Sequence, residues 1–235
     1  MATPDIIFYT SKGCPYAHRV ELAFQEAGAD VTRYQIDLQN KPEWYAQRVN
    51  PAGKVPALVY GSSKSDPEHP SPESVKLAES LILLEFVADL YPDSGLLPKD
   101  PVQRARVRLF IDTVTNKLFE PFVAFFYRGE APDKFVEAVA ETQKLLSPSG
   151  FAVGDRFTIA DAALAPFVGR WELHLRHDVG KYAEGTGPRV HQELFQSERF
   201  ARLQKFFANI SSRQSYKTSF DSEYLLSSAR ARIGR

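Results

Sequence analysis

Residues 91–101 separate two parts of the chain that have different hydrophobic patterns, and this change of pattern constrains the fold more than any other feature. The segment holds three prolines and one glycine in eleven residues, so neither a helix nor a strand is expected to run through it. Before it, short apolar runs alternate with helical periodicities, whereas only helical periodicities follow it. We therefore predict two domains, residues 1–91 and 102–235, joined by a linker over 92–101.

The first part is predicted to form a mixed α/β domain. Its strands are predicted at 5–10, 31–38, 55–60 and 75–78, and its helices are predicted to begin at Cys14 and at Pro42 and to cover 79–91. A right-handed crossover makes the second strand parallel to the first, and the short fourth strand suits a sheet edge. The predicted order is βαβαββα. The polar segment 61–74 is a surface loop whose length makes it either functional or mobile.

The second part is predicted to be all-helical. Apolar residues recur at helical spacing near 101–128, 132–147, 158–177 and 198–210, which indicates a helical bundle. Thr158 and Asp161 have the spacing of a capping box, with aspartate in place of the usual Glu or Gln, and we assign them a structural role.

Composition excludes several classes of function. The chain carries 29 basic and 29 acidic residues, so it has no net field to attract nucleic acid or an acidic membrane. We find no run of 18 apolar residues and no secretory signal pattern, which favours a cytoplasmic protein that does not enter a membrane. No diagnostic spacing of metal ligands is present, so no metal is expected. A single cysteine cannot form an internal disulfide, and a reducing compartment would suit its thiol.

That cysteine, Cys14, follows a predicted turn and lies in the first turn of a predicted helix. Backbone N–H groups and the helix dipole at such a position can lower the pKa of a cysteine from about 8.5 to below 7, which makes it a nucleophile. The alternative is an inert, buried cysteine, and the position before Pro15 favours the nucleophile. Because Ala17 stands where a resolving cysteine would be, a mixed disulfide on Cys14 must be resolved by an external thiol, of which glutathione is the usual one.

Several short motifs follow one another in a defined order. They are Cys14-Pro15-Tyr16-Ala17, Lys41-Pro42-Glu43-Trp44, Lys54-Val55-Pro56, Glu79-Ser80 and, more weakly, Val153-Gly154-Asp155 with residues 158–161. Through them nearly the whole chain resembles the omega-class glutathione transferases, particularly fungal ones. The resemblance implies the glutathione transferase fold, with a thioredoxin-like first domain and a helical second domain. It also implies a homodimer, glutathione as co-substrate and a role in detoxification.

The resemblance further implies a glutathione site made of nine residues. Cys14 would meet the glutathione sulfur, with Pro15 and Tyr16 beside it. The backbone of Val55 would hold the cysteinyl unit, and a cis Pro56 would follow it.

The remaining residues of that site would bind the two ends of glutathione. Glu79 and Ser80 would bind the γ-glutamyl group at a helix N-terminus, and Lys41 would bind the glycine carboxylate, with Lys54 as a further candidate. Each has a simpler reading: a surface lysine for Lys41, an ordinary helix start for Glu79 and Ser80, and a strand entry for Val55 and Pro56.

A second, acceptor site is expected from aromatic residues of the helical domain that face Cys14. We select Tyr16, Phe122, Phe126 and Trp171 as its walls, for a hydrophobic or aromatic co-substrate. The alternative for such aromatic stripes is core packing.

Two functions from different classes follow from the resemblance. The first is a thiol transferase that removes glutathione from mixed disulfides or glutathionylated substrates through Cys14, with dehydroascorbate reduction as a further activity. The second is a ligandin that stores aromatic or polyphenolic compounds and catalyses only incidentally. A scaffold without catalysis is disfavoured because it would not need Cys14, and glutathione conjugation is expected to be minor because a cysteine stands in place of a serine or tyrosine.

Overall fold

The computed structural model of the protein describes residues 5–61 and 66–233. These residues form two compact units, one extending as far as Leu96 and the other beginning at Leu97. The linker over 92–101 stays a prediction. Residues 62–65 of the predicted surface loop lie outside the described residues.

The first unit has the predicted order βαβαββα. Its elements are β1 (Ile6–Thr10), α1 (Pro15–Glu26), β2 (Thr32–Gln35), α2 (Glu43–Arg48), β3 (Ala57–Tyr60), β4 (Val75–Ala78) and α3 (Ser80–Leu90). The strands lie in the order β2-β1-β3-β4, with β2 parallel to β1 and the other neighbours antiparallel. The predicted parallel pair and the edge position of β4 are confirmed. β1 is buried along its whole length and forms the centre of this core.

Three element boundaries in this unit differ from the prediction. β2 ends at Gln35, which pairs with Thr10, the last residue of β1. Ile36 still donates its N–H to Thr10 O at 2.8 Å, but Leu38 lies beyond the end of β1 and is exposed. Pro42 is the N-cap of α2 and has extended backbone, so the helix begins one residue later than predicted. α3 begins at Ser80, because Glu79 has a positive φ that no helix contains.

The second unit is helical, and no strand occurs among its described residues. Its helices are α4 (Pro101–Arg128), α5 (Asp133–Leu145), α6 (Ile159–Arg176), α7 (Thr186–Gln196), α8 (Ala201–Ser212), α9 (Gln214–Ser219) and α10 (Ser222–Ile233). The four predicted helices correspond to α4, α5, α6 and α8. The other three were not predicted. α7 carries Gly187 and Pro188 in its first turn, which read locally as breakers although proline is tolerated there.

α6 forms the centre of the second core, because every residue from Ile159 to Trp171 is buried. The predicted capping box is present at its start. Asp161 accepts the N–H of Thr158 at 2.8 Å and that of Ala152 at 2.7 Å. Burial nevertheless raises the pKa of Asp161 to about 7, since desolvation outweighs these hydrogen bonds. The box therefore ties the preceding loop to the buried helix.

The C-terminal segment packs against α6 and α4. A Cβ atom added to Gly169 on α6 would lie 1.9 Å from the Tyr216 hydroxyl of α9, so only glycine allows this approach. Arg232 on α10 donates to the Tyr127 hydroxyl on α4 at 3.2 Å. No helix in the described ranges is both long and apolar enough to cross a membrane.

Candidate active site

Cys14 is the N-cap of α1, one residue before the first helical turn in which it was predicted. Its backbone N–H donates to Ser11 O and its carbonyl accepts the N–H of His18, both at 3.0 Å. The backbone at Cys14 is extended, and its side chain is buried. Because Pro15 has no N–H, the first N–H groups of α1 belong to Tyr16 and Ala17. The thiol is thus presented at the positive end of the α1 dipole.

The segment before β3 approaches the thiol. The Cys14 Sγ lies 3.7 Å from Val55 O, close enough for an S–H···O hydrogen bond. The peptide bond between Val55 and Pro56 is cis, as predicted. The preceding carbonyl, Lys54 O, accepts from the Tyr45 hydroxyl and from the Asn50 amide, each at 2.8 Å. These two bonds hold the backbone of Val55 beside Cys14.

A buried cation that the sequence analysis missed belongs to the same site. Arg19 on α1 is 2% exposed, and its Nη1 donates to Ser80 Oγ at 3.1 Å. Its guanidinium also lies 5.3 Å from the centre of the Tyr16 ring. Burial lowers the pKa of Arg19 to about 10, while electrostatic interactions with Tyr16 and Cys14 act in the opposite direction. A sequence signal exists, since Arg19 follows Tyr16 by three residues and so shares its helix face.

The start of α3 has an unusual backbone. Glu79 is exposed and has φ of +71°, a conformation that costs a non-glycine residue about 1–3 kcal/mol and is typical of ligand sites. Ser80 follows it, is buried, and is held by Arg19. Arg19 therefore connects the start of α3 with the start of α1. Lys41 precedes α2 and Lys54 precedes Val55, both with exposed side chains.

The predicted acceptor residues do not all line one pocket. Phe122 on α4 and Trp171 on α6 have ring centres 5.8 Å apart and line a narrow apolar pocket of about 160 Å³ that has no room for a water molecule. Phe126 is 1% exposed and does not line it. Its ring packs against Phe125 and neighbouring aromatic rings as a core residue does. Tyr16 is exposed and belongs to the first unit.

His174, which neighbours this aromatic cluster, is neutral near pH 7. Burial lowers its pKa to about 4, and the charges of Arg170 and Arg232 act in the same direction. Its ring centre lies 6.3 Å from that of Phe126. His174 therefore belongs to the core of the second unit and adds no charge there.

Comparison with known proteins decides the family. Residues 8–95 match the N-terminal domain of glutathione S-transferases, and residues 101–208 match their C-terminal domain. The crystal structure of glutathione transferase Omega 1C from Trametes versicolor is 49% identical and superposes with a TM-score of 0.95, covering 98% of this chain and 97% of that one. The chain belongs to the omega class of the glutathione transferases.

Two further relatives of this omega-class transferase are informative. Glutathione transferase Omega 2S from Trametes versicolor, solved in complex with 2,4-dihydroxybenzophenone, is 46% identical, with a TM-score of 0.92 and coverage of 98% of this chain and 100% of that one. A probable glutathione S-transferase from Nicotiana tabacum is 30% identical over 82% of this chain and 77% of its own length.

Membership of the class defines the general activity. The protein is a glutathione transferase enzyme that uses glutathione as co-substrate, and its family binds hydrophobic second substrates and is typically dimeric. Within the described residues, no group of three or more His, Cys, Asp or Glu side chains could hold a metal ion.

Proposed function

We propose that this omega-class transferase is a glutathione-dependent thiol transferase whose nucleophile is Cys14. The Cys14 thiolate attacks the glutathione sulfur of a mixed disulfide, forms a disulfide with glutathione, and releases the partner as a thiolate that takes up a proton. With a substrate that carries glutathione on carbon, the carbon keeps the electron pair and is protonated. In both cases a second glutathione attacks the enzyme disulfide, releases oxidised glutathione and regenerates the thiolate. Dehydroascorbate is a further candidate oxidant.

The observation that carries this proposal is a buried cation, Arg19, on the helix whose N-cap is Cys14. A buried guanidinium is costly unless an opposite charge lies near it, and the thiolate of Cys14 would supply that charge. The dipole of α1, whose positive end lies at Cys14, also stabilises the thiolate. The carbonyl of Val55, which the neutral thiol contacts, would become an acceptor for the N–H of a bound glutathione backbone once the proton has left.

We expect the rate of Cys14 alkylation by iodoacetamide to reach half its maximum at a pH well below 8.5, the ordinary value for a cysteine. Mass spectrometry after exposure to oxidised glutathione should find one glutathione adduct, on Cys14, that dithiothreitol removes. Because the chain has a single cysteine, every thiol signal reports on this residue. A midpoint near 8.5 with no adduct would contradict the proposed cycle. Such a thiol also suits a reducing compartment, and we propose the cytoplasm.

A second candidate function, binding of aromatic compounds, rests on Trp171 of α6, because the apolar pocket that it lines has no room for such a ligand unless the surrounding rings move apart. The indole Nε1 of Trp171 is buried there and has no hydrogen-bond partner among the described residues. A phenol or ketone oxygen could accept this hydrogen, which would relieve the cost of an unpaired buried donor. The relative solved with 2,4-dihydroxybenzophenone makes that compound the natural probe.

We also propose a symmetric homodimer in which the first unit of each subunit packs on the second unit of its partner. Val102 and Leu109 lie seven residues apart on one face of α4 and are exposed, and Ile82 on α3 is exposed too. Large apolar side chains that recur on one helix face commonly mark an interface.

Leu109→Glu is expected to shift the protein from dimer to monomer at micromolar concentration, because a buried unpaired carboxylate destabilises an interface. Analytical ultracentrifugation measures this shift. Leu145→Glu, at an exposed leucine on α5, is the matched control and should leave the dimer intact. Unchanged association of the Leu109 variant would show that the interface lies elsewhere.

A further inference from the structure

The described part of the loop before β4 is fastened to the sheet and to α2. Tyr9 on β1 donates to Pro67 O and Tyr34 on β2 donates to Glu68 Oε1, each at 2.6 Å. Arg48, the last residue of α2, donates to Glu68 O at 2.9 Å. Hydrogen bonds from three different elements therefore hold residues 66–68 in one conformation.

Lys76 on β4 holds the other end of this loop. Its ammonium group donates to the carbonyl oxygens of Ser71, Pro72 and Ser74, at 2.7, 3.0 and 2.9 Å. An ammonium group has three N–H donors, and all three are used here. Lys76 thus contributes a positive charge to its surroundings and keeps the loop closed, but it has no donor left for a ligand.

A groove of about 630 Å³ lies between this loop and the C-terminal end of α2, entirely within the first unit. This volume is typical of sites for small organic molecules. Its apolar surface comes from Val49 and from three prolines, Pro51, Pro70 and Pro72. Proline rings are rigid, so this surface is already shaped before any ligand binds. None of the lining residues belongs to the site around Cys14.

The polar lining of the groove is positive. Arg48 and Lys76 carry its positive charge beside His69, and no Asp or Glu is among the described residues that line it. The nearest loop carboxylates have other partners. Asp66 accepts from the N–H of Glu68 and contacts the Nδ1 of His69 at 3.0 Å, and these two groups hold the pKa of Asp66 below its usual range.

Arg48 therefore keeps donors for a ligand, whereas His69 does not. The Nδ1–H of His69 donates to the Asp66 carboxylate, so the Nε2 of the neutral ring is an acceptor and does not hold an anion. The guanidinium of Arg48 has five N–H donors, of which one is bonded to the loop carbonyl. A guanidinium matches the two oxygens of a carboxylate or sulfonate in a bidentate arrangement.

We propose that this groove is a second ligand site, which binds a small organic anion made of a flat ring and a carboxylate or sulfonate group. The ring packs on Pro51 and Pro72, and the anionic group is held by the guanidinium of Arg48, in the positive field to which Lys76 contributes. This site is independent of glutathione and of the thiol chemistry at Cys14.

The test uses 2-naphthoate as the probe and the neutral 2-naphthamide as its control, by calorimetry on the full chain with saturating glutathione. Arg48→Gln should weaken 2-naphthoate binding about tenfold or more, because a charge-assisted hydrogen bond is lost. Arg33→Gln, at an exposed arginine of the same unit outside the groove, should leave the affinity within twofold. The amide should bind at least tenfold more weakly than the acid.

Amide hydrogen exchange, measured with and without bound 2-naphthoate, identifies the segments that contact the probe. Protection is expected in the peptides that cover 45–51 and 66–76, and should persist in Cys14→Ser, so the outcome does not depend on the proposed catalytic cycle. Equal binding of acid and amide, an unchanged affinity in Arg48→Gln, or protection only in α4 and α6 would each overturn the proposal.

Discussion

Cys14→Ser is expected to lower the rate of thiol transfer about a thousandfold or more, because a serine hydroxyl neither ionises near pH 7 nor forms a disulfide with glutathione. The measurement is the steady-state reduction of the mixed disulfide of glutathione and 2-mercaptoethanol. The substitution exchanges sulfur for oxygen at a buried N-cap, and serine is itself a favoured N-cap, so the fold should be retained.

The same variant distinguishes the two candidate functions. Binding of 2,4-dihydroxybenzophenone should stay within twofold of the unmodified protein, since Trp171, whose buried N–H would bind the ligand, belongs to the second unit. Retention of thiol transfer within tenfold would mean that Cys14 is not the nucleophile. In that case ligand binding would become the leading function.

Arg19→Gln should raise the pH midpoint of Cys14 alkylation by about one unit or more, because a cation near a thiolate shifts its ionisation by about 1–3 units. At a pH below both midpoints a one-unit shift lowers the thiolate fraction about tenfold, and thiol transfer at that pH would fall with it. The effect should shrink as the pH rises above the new midpoint, since the thiolate then forms without help. A purely structural role for Arg19 would lower activity equally at every pH.

Arg19→Lys is the matched control for this prediction. It keeps the positive charge and loses the planar fork that reaches Ser80, so the alkylation midpoint should move by less than about half a unit. Thermal unfolding of both variants separates charge from stability. If Arg19→Gln has the midpoint of the unmodified protein, the guanidinium acts only on the packing of α1 and α3.

Much of the fold follows from local pattern. The breaker-rich segment 91–101, the order βαβαββα and the capping box at Thr158 depend on residues that are neighbours in sequence, and periodicity records such neighbours directly. The position of Cys14 at a helix start is of the same kind, because Ser11 to Pro15 form the turn by themselves. α9 was not predicted because its six residues make fewer than two helical turns, too few to establish a period.

The aromatic residues show where local pattern stops. Phe122 and Phe126 are one helical turn apart and look equivalent in sequence, but only Phe122 lines the apolar pocket with Trp171. Phe126 instead belongs to the aromatic core around Phe125 and Tyr182. Which of the two rings lines the pocket depends on how the other helices pack against α4. The sequence of α4 alone does not specify that packing.

The sequence by itself determined the order of the elements and the thiol at the start of α1, since these depend on spacing along one segment. Only the tertiary structure decided where β2 ends, because that depends on the length of β1. The burial of Arg19 and its hydrogen bond to Ser80, 61 residues later in the chain, are likewise visible only in the tertiary structure. Burial and long-range hydrogen bonds set the charge around a thiol, and both exist only once distant segments have packed together.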